Sequence, residues 1–248
     1  MTNEQRQIID NFLAGTTIEQ NKVTPMMEGS APPPAEKAIP LDAKLITLPE
    51  PEMFPDMPVN FLELIELRST IRQYNGEDLT IKELSFLLWC TQGVKMSRPN
   101  NGSARTVPSA GSRHAFETYL YIQHVKGIRP GLYRYLAFEH SLMLVKTAEE
   151  LNEKFFSAFR PKNMTQHSAV MFIWSAISKR MDNVFGTRAY RYLFLDAGHV
   201  CQNLYLAAQT IKVGVCAIGA YSDDKLNEAL DFDGKDEWAI YAASVGKY

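Results

Sequence analysis

The sequence predicts an α+β fold, on three observations. Segments of helical and strand periodicity follow in the order helix, helix, strands, helix, strand, long helix, strand, helix, strand, without the regular alternation of a doubly wound sheet. Gly131 to Leu136 and Ser141 to Lys146 are close enough to pair directly as a hairpin, a feature of antiparallel sheets. Finally, no GxGxxG, GxxxxGKS/T or GxSxG occurs, so a Rossmann dehydrogenase, a P-loop NTPase and an α/β-hydrolase each lose their main signature.

The elements follow from local chemistry. Asn60 and Glu63 have capping-box spacing ahead of Phe61, Leu64, Ile65 and Leu67, predicting a short helix to about Arg72. Thr80 and Glu83 repeat that spacing before Leu84, Leu87 and Leu88, with Gly93 as the stop. Residues 94–112 are rich in Ser, Asn, Gly, Pro and Arg and read as a long loop. Glu117 to Val125 alternates as a strand, with Tyr119, Tyr121 and Val125 on one side and Leu120 and Ile122 on the other. Thr147 and Glu150 cap a helix running to about Phe159, and Ala169 to Ile177 is an apolar run that predicts a buried strand. Tyr190 to Ile211 is the longest helical pattern, with Phe194, Ala197, Cys201, Leu204, Ala208 and Ile211 on one face. Gly214 to Ile218 and Trp238 to Val245 are strands separated by a helix starting near Asp223.

Composition bounds the function. The chain has 248 residues, 46% of them hydrophobic, enough for one filled core or one domain plus an arm. Its net charge of −2 gives no basic excess to neutralise phosphates, which argues against nucleic acid; a small anion needs only a local cluster of Arg and Lys. Cys90, Cys201 and Cys216 are odd in number, lack CxxC spacing and sit in apolar runs, which suits buried thiols in a reducing compartment. The five histidines show neither HxxxH nor HExxH spacing, so no metal site is expected. No signal peptide or membrane span is visible, and a cytoplasmic protein is expected.

Nine of the thirteen prolines fall in the first 58 residues. Pro32-Pro33-Pro34 and the run from Pro49 to Pro58 read as extended chain that builds no core by itself. We therefore divide the chain into a proline-rich N-terminal arm, 1–59, either disordered or lying along a partner subunit, and a folded domain, 60–248.

Three segments carry chemistry. Arg68-Ser69-Thr70-Ile71-Arg72 places two guanidiniums and two hydroxyls at a helix end, suited to a phosphate or a polar ring edge, although basic residues there also complement the helix dipole. Pro108-Ser109-Ala110-Gly111-Ser112-Arg113-His114 starts with small residues that let backbone approach a planar ligand, or simply form a surface turn. Gly246-Lys247 follows a strand, where a lysine otherwise solvated comes within reach of an anion.

Five motifs in order give these segments a common reading. They are Arg68-x-Thr70-x-Arg72-x-Tyr74, Pro108-Ser109-Ala110-Gly111, Gly131-Leu132-Tyr133-Arg134-Tyr135, Arg188-x-x-Arg191-Tyr192, and Asp196-Ala197-Gly198-His199-x-x-Gln202-Asn203-Leu204. Over residues 60–248 the chain resembles the nitroreductase family, and within it the SagB-type flavin dehydrogenases. The resemblance implies a central, mainly antiparallel sheet flanked by helices, in an interlocked homodimer with FMN at the subunit interface. It implies that Arg68, Ser69, Thr70 and Arg72 grip the phosphate, ribitol and pyrimidine edge, and that Pro108, Ser109 and Ala110 approach from the second subunit. Ile218, Gly219 and Ala220 would put backbone donors near N5 and O4, and Gly246 and Lys247 would close on the phosphate.

The implied activity is an FMN-dependent oxidoreductase passing hydride between NAD(P)H and a small acceptor such as a nitroaromatic or quinone. Chemistry lies on flavin N5 and no side chain is assigned as catalytic; Arg68 or Arg72 is the candidate to stabilise charge at the N1–C2=O edge. Tyr133 and Tyr190 are candidate pocket liners, with core packing the alternative. Gln202 and Asn203 are expected to bond to backbone, His199 to lie in the core or an interface, and Asp196 to serve the helix or an ion pair. One departure stands out: where SagB-type azoline oxidases carry a Lys-Tyr pair for proton removal, this chain has Val184-Phe185, which accepts no proton. That weakens the alternative of azoline oxidation on a peptide. A second alternative is a flavin-binding module without turnover.

Overall fold

Seven strands hydrogen-bond into one sheet in the computed structural model, which describes residues 1–51, 60–99, 102–151, 153–160 and 167–248. They are β1 (Leu45–Thr47), β4 (Phe116–Ile122), β5 (Gly131–Leu136), β6 (Ser141–Thr147), β7 (Val170–Ile177), β8 (Gly214–Ile218) and β9 (Glu237–Gly246). Their order is β1-β6-β5-β4-β7-β9-β8, and every neighbouring pair is antiparallel. A separate hairpin, β2 (Val94–Arg98) with β3 (Gly102–Arg105), occupies the stretch expected to be loop. β2 is largely exposed, so it carries no apolar alternation to betray it.

The helices are α1 (Asn3–Gly15), α2 (Phe61–Leu67), α3 (Ile81–Gln92), α4 (Glu153–Ala158), α5 (Ser178–Phe185), α6 (Ala189–Thr210) and α7 (Asp223–Ala229). The Thr80–Glu83 capping box forms in full: Thr80 Oγ1 accepts from Glu83 N at 3.2 Å and Glu83 Oε2 accepts from Thr80 N at 2.6 Å. Asn60 caps α2, but the helix stops at Leu67, where Arg68 turns out at φ −54°, ψ 118°. Thr147 N donates to Glu150 Oε2 in a turn, and α4 starts only at Glu153.

Both faces of the sheet are covered, which explains the continuous apolar reading of β7. Phe172 and Trp174 pack with Leu84, Leu87 and Leu88 of α3 and Leu193, Leu204 and Ala208 of α6. Met171 and Ile173 face Phe155 and Phe159 at α4 and Leu226 of α7. Val125, expected beside Tyr119 and Tyr121, lies past the end of β4 in the Leu120 cluster. Phe194, expected on the buried face of α6, is 54% exposed: it lies at one margin of the apolar stripe and its ring meets Trp238 at the sheet edge.

The described part of the arm lies against its own chain. β1 pairs with β6, and Pro34 to Ala38 form a strap over the sheet. Lys37 N donates to Glu117 Oε1 of β4 at 2.8 Å, and Arg134 Nη2 of β5 donates to the carbonyls of Lys37 and Ala38. Arg180 Nε of α5 donates to Pro34 O at 2.8 Å, and Lys37 Nζ pairs with Glu237 of β9. The extended run expected between Pro49 and Pro58 falls mostly outside the described residues.

Candidate functional site

β8 ends the sheet, so one side of its backbone needs other partners. The segment leaving α2 and the helix α6 supply them. Ile71 N donates to Val215 O at 3.0 Å, and Ala217 N donates at 2.8 Å to the hydroxyl of Tyr205 on α6. That hydroxyl lies 3.3 Å from Thr70 Oγ1. Farther along, the Tyr74 hydroxyl lies 2.8 Å from Ser244 Oγ and 3.0 Å from Ser244 O on β9, and burial pushes its phenol well above the usual range. Asn75 N donates to Lys247 O at 2.9 Å.

Two glycines let this segment lie close. Gly214 and Gly246 are register partners on β8 and β9. A Cβ on Gly214 would come within 2.7 Å of Ile71 Cβ, and one on Gly246 within 2.8 Å of the Tyr74 ring. The structure thereby brings Arg68, Ser69, Thr70 and Arg72 to the same sheet edge as Ile218, Gly246 and Lys247.

The charges at this edge are partly uncommitted. Arg68 is half-buried with its guanidinium 5.5 Å from the centre of the Tyr205 ring, a cation–π contact. Arg72 is exposed, and its charge reaches Cys216, where it opposes the rise that burial imposes on that thiol. Among the described residues neither guanidinium makes a hydrogen bond or ion pair, so their donors are open to an anion. Lys247 is different: its Nζ lies 3.4 Å from Glu83 Oε1, at the start of α3. Beyond β8, Gly219 and Ala220 are exposed, and Ala220 O accepts from Arg160 N at 2.9 Å.

The Pro108 turn is anchored elsewhere on α6. Asp196 Oδ1 accepts from Ala110 N at 3.3 Å, and Ser109 lies beside the carboxylate. Burial raises the Asp196 carboxyl, while the neighbouring Ser109 hydroxyl and Ala110 N–H oppose the rise. Gly111, at φ +56°, packs on the Phe185 ring, which itself meets Tyr192 edge-on. Asp196 and Tyr205 are nine residues apart on one helix. At 100° and 1.5 Å per residue they point to opposite sides of α6, about 13 Å apart along its axis. Within one chain the turn and the Arg68–Thr70 segment are not brought together.

The remaining candidates scatter. Tyr133 is buried on β5, four strands from β8, and its hydroxyl donates to Arg129 O at 2.8 Å. Tyr190 lines a cavity of about 660 Å³ between the arm (Pro25, Ala31, Pro33) and α5 (Lys179, Asp182). Arg188 and Arg191 hold the end of α1: Arg188 Nη1 donates to Thr16 O at 3.0 Å, and Arg191 donates to Thr16 Oγ1 at 2.7 Å and Leu13 O at 2.6 Å. Asn203 Nδ2 donates to the backbone carbonyls of Cys90 and Thr106, whereas Gln202 and His199 are exposed.

Sequence reasoning missed Tyr205, whose only signal is a hydroxyl at the margin of an apolar helical stripe. All three cysteines are free, and burial pushes Cys90 up to about 11 and Cys201 up to about 12. Among the described residues no helix is long and apolar enough to cross a membrane, and no cluster of His, Cys, Asp and Glu is arranged for a metal.

With this geometry in place, comparison with known proteins is informative. Residues 65–247 match the Nitroreductase family. A nitroreductase-type protein of Methanocaldococcus jannaschii is 31% identical over 180 residues, 73% of this chain and 87% of that protein. The trifolitoxin-processing protein TfxB of Rhizobium leguminosarum bv. trifolii is 25% identical over 177 residues, 69% of this chain but 47% of that protein. Among solved structures, a nitroreductase-type protein of Anabaena variabilis superposes with a TM-score of 0.62 at 30% identity, covering 75% of this chain and 37% of that one, so this chain spans little more than a third of its length. A Desulfovibrio desulfuricans protein of the same type, solved in complex with FMN, gives a TM-score of 0.53 at 17% identity, with 77% and 87% covered; that likeness concerns the fold alone.

Proposed function

The chain belongs to the nitroreductase family, and on that premise we propose that it is an FMN-dependent oxidoreductase moving electrons between NAD(P)H and a small acceptor such as a nitroaromatic or quinone. The observation that carries the reading is the β8 edge, where Arg68 and Arg72 present guanidiniums without an ion-pair partner among the described residues, on the segment that packs against Gly214 and Gly246. Open, forked donors next to hydroxyl and backbone groups fit a ligand that combines a phosphate with a flat polar ring. Arg68, Ser69, Thr70 and Arg72 would hold FMN, with Gly246 and Lys247 toward its phosphate and Ile218, Gly219 and Ala220 toward its ring edge. When bound, FMN supplies the redox chemistry. The chain's own part is to bind, to orient, and to place positive charge where negative charge develops.

The opposed anchoring of Ala110 and Thr70 on α6 supports a homodimer in which Pro108, Ser109 and Ala110 of one copy complete the site of the other. Tyr133 packs in the core and also borders a cavity of about 640 Å³ with Arg129, Leu144 and Thr147, away from this edge, and Tyr190 borders the cavity beneath the arm. The three free thiols suit a reducing cytoplasm.

Similarity to a trifolitoxin-processing protein favours a peptide substrate as the second reading. Val184-Phe185 weigh against proton removal there, since the Phe185 ring is committed to Gly111 and Tyr192.

The purified protein should show the visible absorption of an oxidised flavin, bleach under anaerobic NADH or NADPH, and recover with a quinone or nitroaromatic. Protein that stays colourless after incubation with FMN would remove the reading. Bound flavin that neither nucleotide bleaches would leave binding without turnover.

A further inference from the structure

We propose that Tyr205 is a positioning residue for the cofactor: its hydroxyl relays hydrogen-bond polarity from the end of β8 to Thr70, so that the Thr70 proton is presented to an acceptor oxygen of FMN. The inference rests on the FMN reading above and adds a residue and a direction to it.

The polarity follows from which groups can donate. Ala217 N–H donates only, so the Tyr205 oxygen, 2.8 Å away, is its acceptor. The phenol then has one proton to place. The group in reach is Thr70 Oγ1 at 3.3 Å. With Tyr205 donating, Thr70 accepts and keeps its own proton free. The opposite arrangement, with Thr70 donating inward, would leave the phenol proton without a partner among the described residues. The chain Ala217 N–H to Tyr205 O–H to Thr70 O–H therefore satisfies every donor once an acceptor docks on Thr70, and each bond polarises the next.

The same residue organises two further contacts. Its ring carries the Arg68 guanidinium on its face, 5.5 Å from the centre, fixing the charge while leaving the N–H donors open. Its hydroxyl also ties down the strand end that leads into Ile218–Ala220. Tyr205 can do this because its neighbour Leu204, together with Ala208, is fully buried, so α6 holds it in register. Arg68, Thr70 and the end of β8, which are all meant to touch one ligand, are thus set by one side chain on a rigid helix.

The test is flavin-fluorescence titration of the full-length apoprotein with FMN, using Tyr205→Phe, Thr70→Val, Thr70→Ser and the double variant Tyr205→Phe/Thr70→Val. Loss of one coupled hydrogen bond should weaken FMN binding about fivefold to tenfold in Tyr205→Phe and in Thr70→Val. The double variant should lose no more than the weaker single, because both interrupt one relay. Thr70→Ser keeps the hydroxyl and should bind within about twofold of wild type, a rescue that loss of packing alone would not give. Tyr205→Phe binding like wild type, or losses that multiply in the double variant, would overturn the role of Tyr205 while leaving FMN binding intact. Wild-type protein that binds no FMN would overturn the cofactor reading itself and this role with it.

Discussion

Exchanging Glu36 for glutamine should stabilise the protein above neutral pH and leave it nearly unchanged near pH 4. Glu36 sits in the strap, where its Oε1 accepts from Ala137 N at 2.7 Å. Burial pushes its carboxyl up to about 7 from 4.5, and the carboxylates of Glu117 and Glu139 push the same way, opposed by the Ala137 N–H. Buried Arg105 lies close enough to feel the Glu36 charge, while burial holds its own guanidinium down to about 10. A raised carboxyl means that the native state holds the proton more tightly than the unfolded chain does. This contribution to stability is therefore complete below about pH 4.5 and is lost as pH rises through about 7. By linkage the loss is at most about 3 kcal/mol. The amide oxygen of a glutamine at this position can still accept from Ala137 N, and the side chain never charges, so the variant should not suffer that loss. Urea unfolding of both proteins from about pH 4 to pH 8.5 should show the advantage of Glu36→Gln growing from near zero to about 2–3 kcal/mol. An advantage that stays constant across that range would refute the argument.

Three further outcomes are expected. Arg180 and Glu117 are 4% and 2% exposed and 2.5 Å apart, so Arg180→Met should cost about 3–5 kcal/mol in chemical denaturation, and an added Glu117→Leu should recover much of it by removing the stranded charge. Arg191→Ala removes the bonds to Thr16 and Leu13, yet α1 has no buried residue; limited proteolysis should cut faster within residues 3–15 while global stability changes by less than about 1 kcal/mol. Gly246→Ala drives a methyl into the Tyr74 ring and should cost about 1–3 kcal/mol in thermal unfolding, accompanied by weaker FMN binding in titration.

What was legible in the sequence is what neighbouring residues decide. The Thr80–Glu83 box, the two-sided apolar run of β7 and the 22-residue α6 each carry their signal within one segment. The α1 helix has a box too, Thr2 with Gln5, ahead of Ile8, Ile9, Phe12 and Leu13 at helical spacing, but that apolar face is exposed, and the proline-rich stretch behind it makes the whole segment read as extended arm. The strap was illegible for another reason. Lys37 pairs with Glu237 across 200 positions, and no local pattern ties a lysine in a proline-rich stretch to a strand near the other end of the chain. The same holds for Glu83, which reads as half of a capping box and turns out also to hold Lys247.

The candidate site divides along that line. Its residue types were legible, because Arg68, Thr70 and Arg72 declare an anion's chemistry within five positions. Its assembly was not, because it depends on what α6 does at two places. Once that helix is drawn, the separation of Asp196 and Tyr205 follows from residue numbers: nine residues are two and a half turns, hence opposite faces. Only the contacts give those faces meaning, with Ala110 N on one and Thr70 on the other. If each contact marks half of a flavin site, one rigid helix fixes the distance between two halves that a single chain keeps apart. FMN affinity should then fall when the protein is diluted below the dissociation constant of its dimer, as sedimentation and flavin fluorescence measured on the same dilution series would show. Tight FMN binding by an isolated monomer would separate the Pro108 turn from the cofactor and confine the site to the β8 edge.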